Sequence, residues 1–565
     1  MAFTRTIALL AVWFSLTLAL AGCGGGKPPA VVAGPGWFED ATDRLGLTFV
    51  HDPGPLDDYF MPRAMGSGCA LFDADGDGRL DILLLQNAGP GSGRRNQLFL
   101  QKPDGTFADA SAGSGLDFDG HNMGVAVGDL DGDGRPDLLV TQYRGARLLL
   151  NRGGGRFADV TEAAGINNPL WGTSAAMFDF DRDGKLDLFL ANYVDVDPAK
   201  VCSDTAGKRE FCGPIFFPGT AARLFRNLGV TDGVPRFEDV SLKSGVAALP
   251  GPGLGVYCAD LTGDGWPDVF VANDEQPNRL WVNQKDGTFK EEGVSRGLAL
   301  DDMGKPGANM GVAAGDVDGD GLIDLFVTHL ADEKHTLWLQ GPAGTFADRT
   351  LKTAATRTKW RGTGFGTLLC DFDRDGRPDL VLANGRISRG PQSAAGLPEF
   401  WRPYGERNQV LRNLGGKFED VSEANPALCG TPNVARSLAW GDIDGDGRPD
   451  LLVTVVGGPA RLLLNRSPDT NHWLGVRPVT ANGHDAHGAE VRVTAGGATH
   501  LRVCHPAASY LASSSPEALV GLGDNGSYDG VEVRWPDGGR ETFPGGPADR
   551  RLTLTQGGGV AGAKR

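Results

Sequence analysis

From residue 37 onward the chain is a succession of short apolar runs, each bounded by glycine, proline, asparagine or aspartate. Runs such as Leu138-Leu139-Val140-Thr141 are aliphatic and β-branched, too short for stable helices, and are predicted as strands. Almost no helical periodicity follows the first 22 residues. The strands group in fours. In one unit, 123–128 is a small-residue strand, 138–141 and 147–151 follow, and after Arg152-Gly153-Gly154-Gly155 comes Phe157-Ala158-Asp159-Val160-Thr161. The last two strands recur as 223–227 with 237–241 and as 408–413 with 418–422. Four strands per repeat predict the blades of a β-propeller, not the several ordinary domains that length alone implies.

Each repeat carries the same acidic turn, D-x-D-x-D-G-x-x-D, between two of its strands. The ligand candidates are Asp73, Asp75, Asp77 and Asp81; Asp129, Asp131, Asp133 and Asp137; Asp179, Asp181, Asp183 and Asp187; Asp260, Thr262, Asp264 and Asp268. They continue with Asp316, Asp318, Asp320 and Asp324; Asp371, Asp373, Asp375 and Asp379; and Asp442, Asp444, Asp446 and Asp450. Hard carboxylate oxygens at loop positions 1, 3, 5 and 9 converge when the backbone turns at the glycine, and they suit Ca²⁺ better than a transition metal. No Glu stands at position 12 and a strand follows each turn, so these are not helix-flanked EF-hands. Up to seven calcium ions are expected, the weakest at the fourth loop, where Thr262 replaces a carboxylate.

The seventh repeat lacks its F-x-D-x-[ST] strand after 461–465, while an orphan copy, Trp37-Phe38-Glu39-Asp40-Ala41-Thr42, precedes the first loop. The N-terminus is therefore expected to complete the last blade of a closed seven-bladed ring, leaving no open sheet edge.

Residues 1–22 hold Arg5, an apolar run from Ile7 to Ala21 and small residues, which reads as an export signal too short to be a membrane span. Leu20-Ala21-Gly22-Cys23 resembles the bacterial lipobox, making Cys23 the acylated first residue, with 23–36 as a Gly/Pro linker. Gly24 favours the outer membrane if the host is Gram-negative. The 85 Gly and 35 Pro fit a loop-rich exported protein. The formal charge is -17, but the loops hold 27 Asp, and seven divalent ions would offset 14 of those charges. Acidity here marks metal sites and excludes nucleic acid as a partner.

The repeats over 37–466 resemble FG-GAP/VCBS repeats, as in the propeller of integrin α chains. Asn471-His472-Trp473-Leu474-Gly475-Val476-Arg477, Gly488-Ala489-Glu490-Val491-Arg492-Val493, Gly521-Leu522-Gly523 and Val531-Glu532-Val533-Arg534-Trp535-Pro536-Asp537-Gly538 resemble the ASPIC/UnbV module. Together they resemble the cartilage acidic protein family, which implies extracellular calcium binding and no activity that carries over. The module, 467–556, is expected to be a small β-sandwich beside the ring, and 557–565 a flexible tail. No Arg-Gly-Asp tripeptide occurs, so a role as integrin ligand has no support.

Cys202 and Cys212 lie in a long insertion and are the best disulfide pair. Cys69, Cys258 and Cys370 sit just before calcium loops as core thiols, and Cys429 could meet Cys504 only if the two domains touch. His484-Asp485-Ala486-His487 reads as a polar surface turn, and no catalytic residue or motif stands out. Phe216-Phe217 and Phe400-Trp401-Arg402-Pro403-Tyr404 read as a local apolar plug in preference to a ligand platform. The expectation is an all-β, lipid-anchored, calcium-binding envelope monomer acting in binding, adhesion or scaffolding toward a protein or glycan. The alternative is an envelope enzyme or carbohydrate-binding protein with its site at the central channel.

Overall fold

The computed structural model describes residues 36–390 and 394–562 and is all β, with helices of one or two turns. The export signal, Cys23 and the linker up to residue 35 lie outside the described residues. Each repeat forms an antiparallel four-stranded unit in chain order, the first being Cys69–Phe72, Asp81–Leu84, Gln97–Gln101 and Phe107–Asp109. In the last, Phe38–Asp40 pairs with Arg461–Asn465, with Phe38 opposite Asn465 and Asp40 opposite Leu463. The orphan N-terminal strand thus completes the sheet of the seventh repeat.

The F-x-D-x-[ST] motif closes the outer edge through its last residue. Thr161 Oγ accepts the Leu148 N–H at 2.9 Å, and Thr42 Oγ accepts the Leu462 N–H at 2.9 Å in the same role. The N-terminal copy therefore performs the function that its sequence repeats elsewhere.

First strands of successive sheets touch in order, and Ala435–Gly441 touches Cys69–Phe72, so the succession returns to its start. They pack backbone to backbone, which is why they are built of small residues. A Cβ on Gly124, Gly255, Gly311 or Gly366 would lie 1.9–2.7 Å from a carbonyl oxygen of the next strand in the ring. Apolar clusters fill the gaps between neighbouring sheets, and one of them joins the seventh repeat to the first through Leu452 and Leu462 against Leu71 and Ile82. Burial of such clusters, at about 25 cal/mol per Å² of apolar surface, is the main force holding sheet to sheet.

The C-terminal residues form two sheets. One joins His472–Val479 to Ala518–Gly523 and Arg550–Thr555; the other centres on Ala489–Ala495 and Ser527–Arg534. They enclose a core containing Val491, Val493, Val520, Val533 and Trp535. Two expectations are corrected here. The module lies over the acidic turns instead of beside the ring, because its basic side chains meet them. The tail is structured as far as Val560–Ala561, which adds a short strand against Arg540–Pro547.

The central channel is filled by the chain itself. From the module, 505–515 enters it: Ser509 exchanges backbone hydrogen bonds with Val312, Leu511 O accepts the Val125 N–H at 3.3 Å, and Ser513 pairs with Ala70. Tyr510 is fully buried, edge-on to Phe365 with ring centroids 5.0 Å apart, amid Met65, Met123 and Met310. On the opposite face the insertions pack together, with Phe211 stacked on Trp401 at 6.2 Å and Glu210 accepting the Tyr404 hydroxyl at 2.6 Å. Phe400, Trp401 and Tyr404 form the expected plug, while Phe216 is exposed. Among the described residues, the space at the centre of the ring is taken by 505–515 and the side chains packed on it.

Candidate metal centres and the face that covers them

Each acidic turn joins the first strand of a sheet to the second, and its ninth residue begins that second strand. This Asp is the anchor of the turn. In all seven loops one of its oxygens accepts the backbone N–H of loop position 2, at 2.8–3.1 Å. The other accepts a backbone N–H at the end of the third strand, at 2.7–3.0 Å. The first Asp folds the turn over itself: Asp129 accepts the N–H groups of Gly132 and Gly134 at 2.7 Å each. Glycine supplies the positive φ at loop position 4 except in the third and sixth loops, where Arg182 and Arg374 take it at 60° and 54°. A non-glycine residue there is strained. Both arginines are used: Arg374 pairs with Asp469 at 2.7 Å, and Arg182 lies 4.3 Å over the Trp266 ring.

The sequence reading missed a relay between the turns. Each third strand carries an Asn or Gln whose side-chain amide donates to the position-2 carbonyl of the preceding repeat's turn. The seven donors are Gln101, Asn151, Asn227, Asn283, Gln340, Asn413 and Asn465, at 2.7–3.1 Å. Gln101 reaches Ile443 and so links the first repeat to the seventh. The signal was present as a polar residue recurring in each third strand.

Carboxylates of positions 1, 3 and 9 lie within 4.8 Å of one another in the loops headed by Asp73, Asp129, Asp179 and Asp371; in the Asp316 loop the cluster is Asp316, Asp318 and Asp320. The position-5 residues Asp77, Asp133, Asp183 and Asp375 instead pair with the basic residue at position 7, Arg79, Arg135, Lys185 and Arg377. In the fourth loop Asp264 pairs with Lys285 at 3.2 Å, and in the seventh Asp444 with Arg466 at 2.7 Å. Several inward oxygens are buried without a hydrogen-bond partner: Asp131 Oδ1, Asp181 Oδ1, Thr262 Oγ1, Asp371 Oδ1 and Asp373 Oδ1. A buried acceptor left unpaired is costly, and a cation removes that cost. The donor set, all oxygen and mostly anionic, fits Ca²⁺.

The electrostatics agree with that fit. Burial, opposed by the two backbone donors, pushes Asp81 up to about 7 and Asp137, Asp268 and Asp324 up to about 8. Asp187, Asp379 and Asp450 are raised well above the usual range for the same reason. Neighbouring carboxylates add to the rise at each.

The C-terminal module covers this face and places three arginines and a histidine on four of the seven position-1 carboxylates. Arg502 lies 3.3 Å from Asp371 and His484 2.6 Å from Asp129, while Arg534 pairs with Asp260 and Arg551 with Asp442. His487 is buried against the Met177 carbonyl, so the segment expected as a surface turn is part of the interface. No local motif announced these contacts, and net charge did not either, since residues 467–556 hold seven Arg against ten Asp and Glu. Cys202 and Cys212 are joined by a disulfide. Cys429 and Cys504 remain free thiols in separate cores, although the two regions do touch.

With this geometry in place, comparison with known proteins is informative. The FG-GAP-like repeat model matches 73–140, 129–190, 260–327, 316–382 and 396–453, more than half of the chain, and the model for ASPIC and UnbV matches 479–561. The chain belongs to the FG-GAP-like repeat family. Cartilage acidic protein 1 of Homo sapiens is 29% identical over 319 residues, 54% of this chain and 44% of that protein. The Xenopus tropicalis protein of the same name is 29% identical over 56% of this chain and 46% of that protein. This chain thus spans less than half the length of these relatives. A solved Agrocybe aegerita lectin, titled for recognition of non-reducing terminal N-acetylglucosamine, covers 65% of this chain and 84% of its own at 17% identity, with a TM-score of 0.39. That score is too low to transfer a site. No described helix is long and apolar enough to cross a membrane.

Proposed function

We propose that the protein is a calcium-binding, lipid-anchored component of the cell envelope that acts as a binding, adhesion or scaffolding protein toward a protein or glycan partner. The observation that carries this reading is the recurrence of buried, unpartnered oxygens inside crowded acidic turns. Seven anionic turns on one face would repel one another, and divalent ions between their carboxylates relieve that repulsion and fix the loops. A rigid ring then presents its exposed segments, including Ile215 and Phe216 of the disulfide-bonded insertion, to a partner. A cleft of about 680 Å³ between the module and the first, second and seventh turns, bordered by Asp73, Arg477, His484 and Arg551, is the place a small ligand would enter.

The anchor and the partner are tested separately. Cys23→Ser should move the protein from the membrane fraction to the soluble one, since no described helix could hold it there; membrane retention insensitive to salt would refute the anchor. A pull-down from envelope extract, run beside a glycan array, should retain a partner in calcium and lose it in EDTA. Capture of nothing on either platform with calcium present would refute the binding role.

A further inference from the structure

The position-1 carboxylates fall into two groups. Asp129, Asp260, Asp371 and Asp442 each meet a side chain of the C-terminal module: His484 at Asp129, and the charged Arg534, Arg502 and Arg551 at the other three. Among the described residues Asp73, Asp179 and Asp316 make no ion pair; their oxygens accept only backbone N–H groups of their own turns. The module's side chains meet Oδ2, the oxygen that also accepts the backbone N–H of the glycine at loop position 6. The capped side chains are 7% exposed or less, so water does little to screen what reaches them.

We infer that the module lowers the calcium affinity of part of the ring: Arg534, Arg502 and Arg551 weaken the fourth, sixth and seventh sites relative to the rest. The inference rests on the calcium reading above. A metal ion beside a capped carboxylate shares its oxygen with a fixed positive charge a few ångströms away, and two like charges at that distance in a buried setting oppose each other. The three arginines keep their charge at any physiological pH, and each is held by a second contact that stops it swinging aside. Arg551 also pairs with Glu517 at 3.2 Å, Arg534 with Glu490 at 3.0 Å, and Arg502 donates to the Gly376 carbonyl at 3.2 Å. At the fourth loop the neutral Thr262 removes a further charge, making it the weakest site.

Calorimetric calcium titration of the full chain, freed of metal by chelation and dialysis, tests this. Wild-type protein should show a weaker class of three sites separated from the stronger ones by about tenfold or more, on the scale by which ligand charge tunes calcium loops. The triple variant R502Q/R534Q/R551Q should transfer sites into the strong class. Should it fail to fold, R551Q alone suffices, because Arg551 is partly exposed. Trp473 lies against Gly447 of the same loop, so Tb³⁺ emission sensitised by that indole reads the site directly. Half-maximal emission should come at roughly tenfold lower Tb³⁺ in R551Q than in wild type. Strong binding in a single class that neither variant changes would overturn the inference while leaving the calcium reading intact. Absence of any binding would overturn both.

Discussion

The ring and the segment that fills it are stabilised in opposite ways. Every element of the ring is used seven times: the position-9 anchor, the Asn or Gln relay and the small-residue inner strand recur, so each contact is seconded by six others. The segment 505–515 is used once. It meets the inner strands of several different repeats, at Val312, Val125, Ser174 and Ser437, and nothing else among the described residues duplicates it. Repetition spreads stability over many equivalent contacts, whereas a unique insert concentrates it in a few side chains. Damage should therefore be shared in the ring and local but severe in the plug, except at the seam where the ring has only one strand to close it.

That seam is the place to break the comparison most severely. Removal of 24–44 deletes Phe38–Asp40 and Thr42, leaving Arg461–Asn465 with an unpaired edge and Leu462 without its hydroxyl partner. The truncated protein should be insoluble or melt far below the intact one although all seven turns remain. A melting temperature within a degree of the intact protein's would show that the N-terminal strand does not close the ring.

Tyr510→Ala comes next. Truncation of this fully buried ring leaves a void among Met65, Met123 and Phe365, and large-to-small changes of that kind cost about 3–5 kcal/mol. Chemical denaturation should show that loss. A change below 1 kcal/mol would mean that the channel tolerates an empty centre.

Within the ring, Asn283→Ala removes one relay bond to the Phe180 carbonyl, and the buried acceptor left behind should cost roughly 1–3 kcal/mol. Repetition predicts a value at the low end, because neighbouring turns keep their own links. A loss as large as that of Tyr510→Ala would show that the relay acts as one cooperative unit.

The smallest effect is a slope with pH. The anchor carboxylates titrate near 7 to 8 in the metal-free fold against about 4 in the unfolded chain, so between those values the folded state holds the extra protons. Stability of the chelated protein is thus greatest at and below about pH 4 as far as these groups decide it, and falls as pH rises toward 8. Melting temperatures in EDTA should decline over that interval, and calcium should remove most of the decline by holding the ionised carboxylates. A chelated protein that becomes more stable from pH 5 to 8 would contradict the raised values.

The seven turns, their strands and the displaced N-terminal copy were legible because a period exposes them: a residue that recurs at one place in each unit separates itself from its surroundings. Thr262 stood out for the same reason, by breaking the pattern. The relay was written equally plainly in Asn151, Asn227 and their counterparts, but an amide at a strand end has many uses, and only the ring gives it the preceding turn as partner. Tyr510 and the module's arginines were beyond reach. Their partners lie in other repeats more than a hundred residues away, as Arg534 and Asp260 do, and a single unrepeated residue carries no mark of the contact it will make. The position of the module over the acidic face was not legible as net charge, since residues 467–556 hold seven Arg against ten Asp and Glu; it rests on a few individual arginines.

The central claim is that the acidic turns hold calcium, and direct metal counting tests it. Purified protein, dialysed against buffered calcium and analysed by elemental mass spectrometry, should contain several and at most seven Ca²⁺ per chain. Binding to the native state alone adds about 2.7 kcal/mol per site at a hundredfold excess over Kd, so stripping the metal with EDTA should lower the melting temperature on the order of ten degrees. A protein that carries no calcium and melts at the same temperature with and without EDTA would contradict the account.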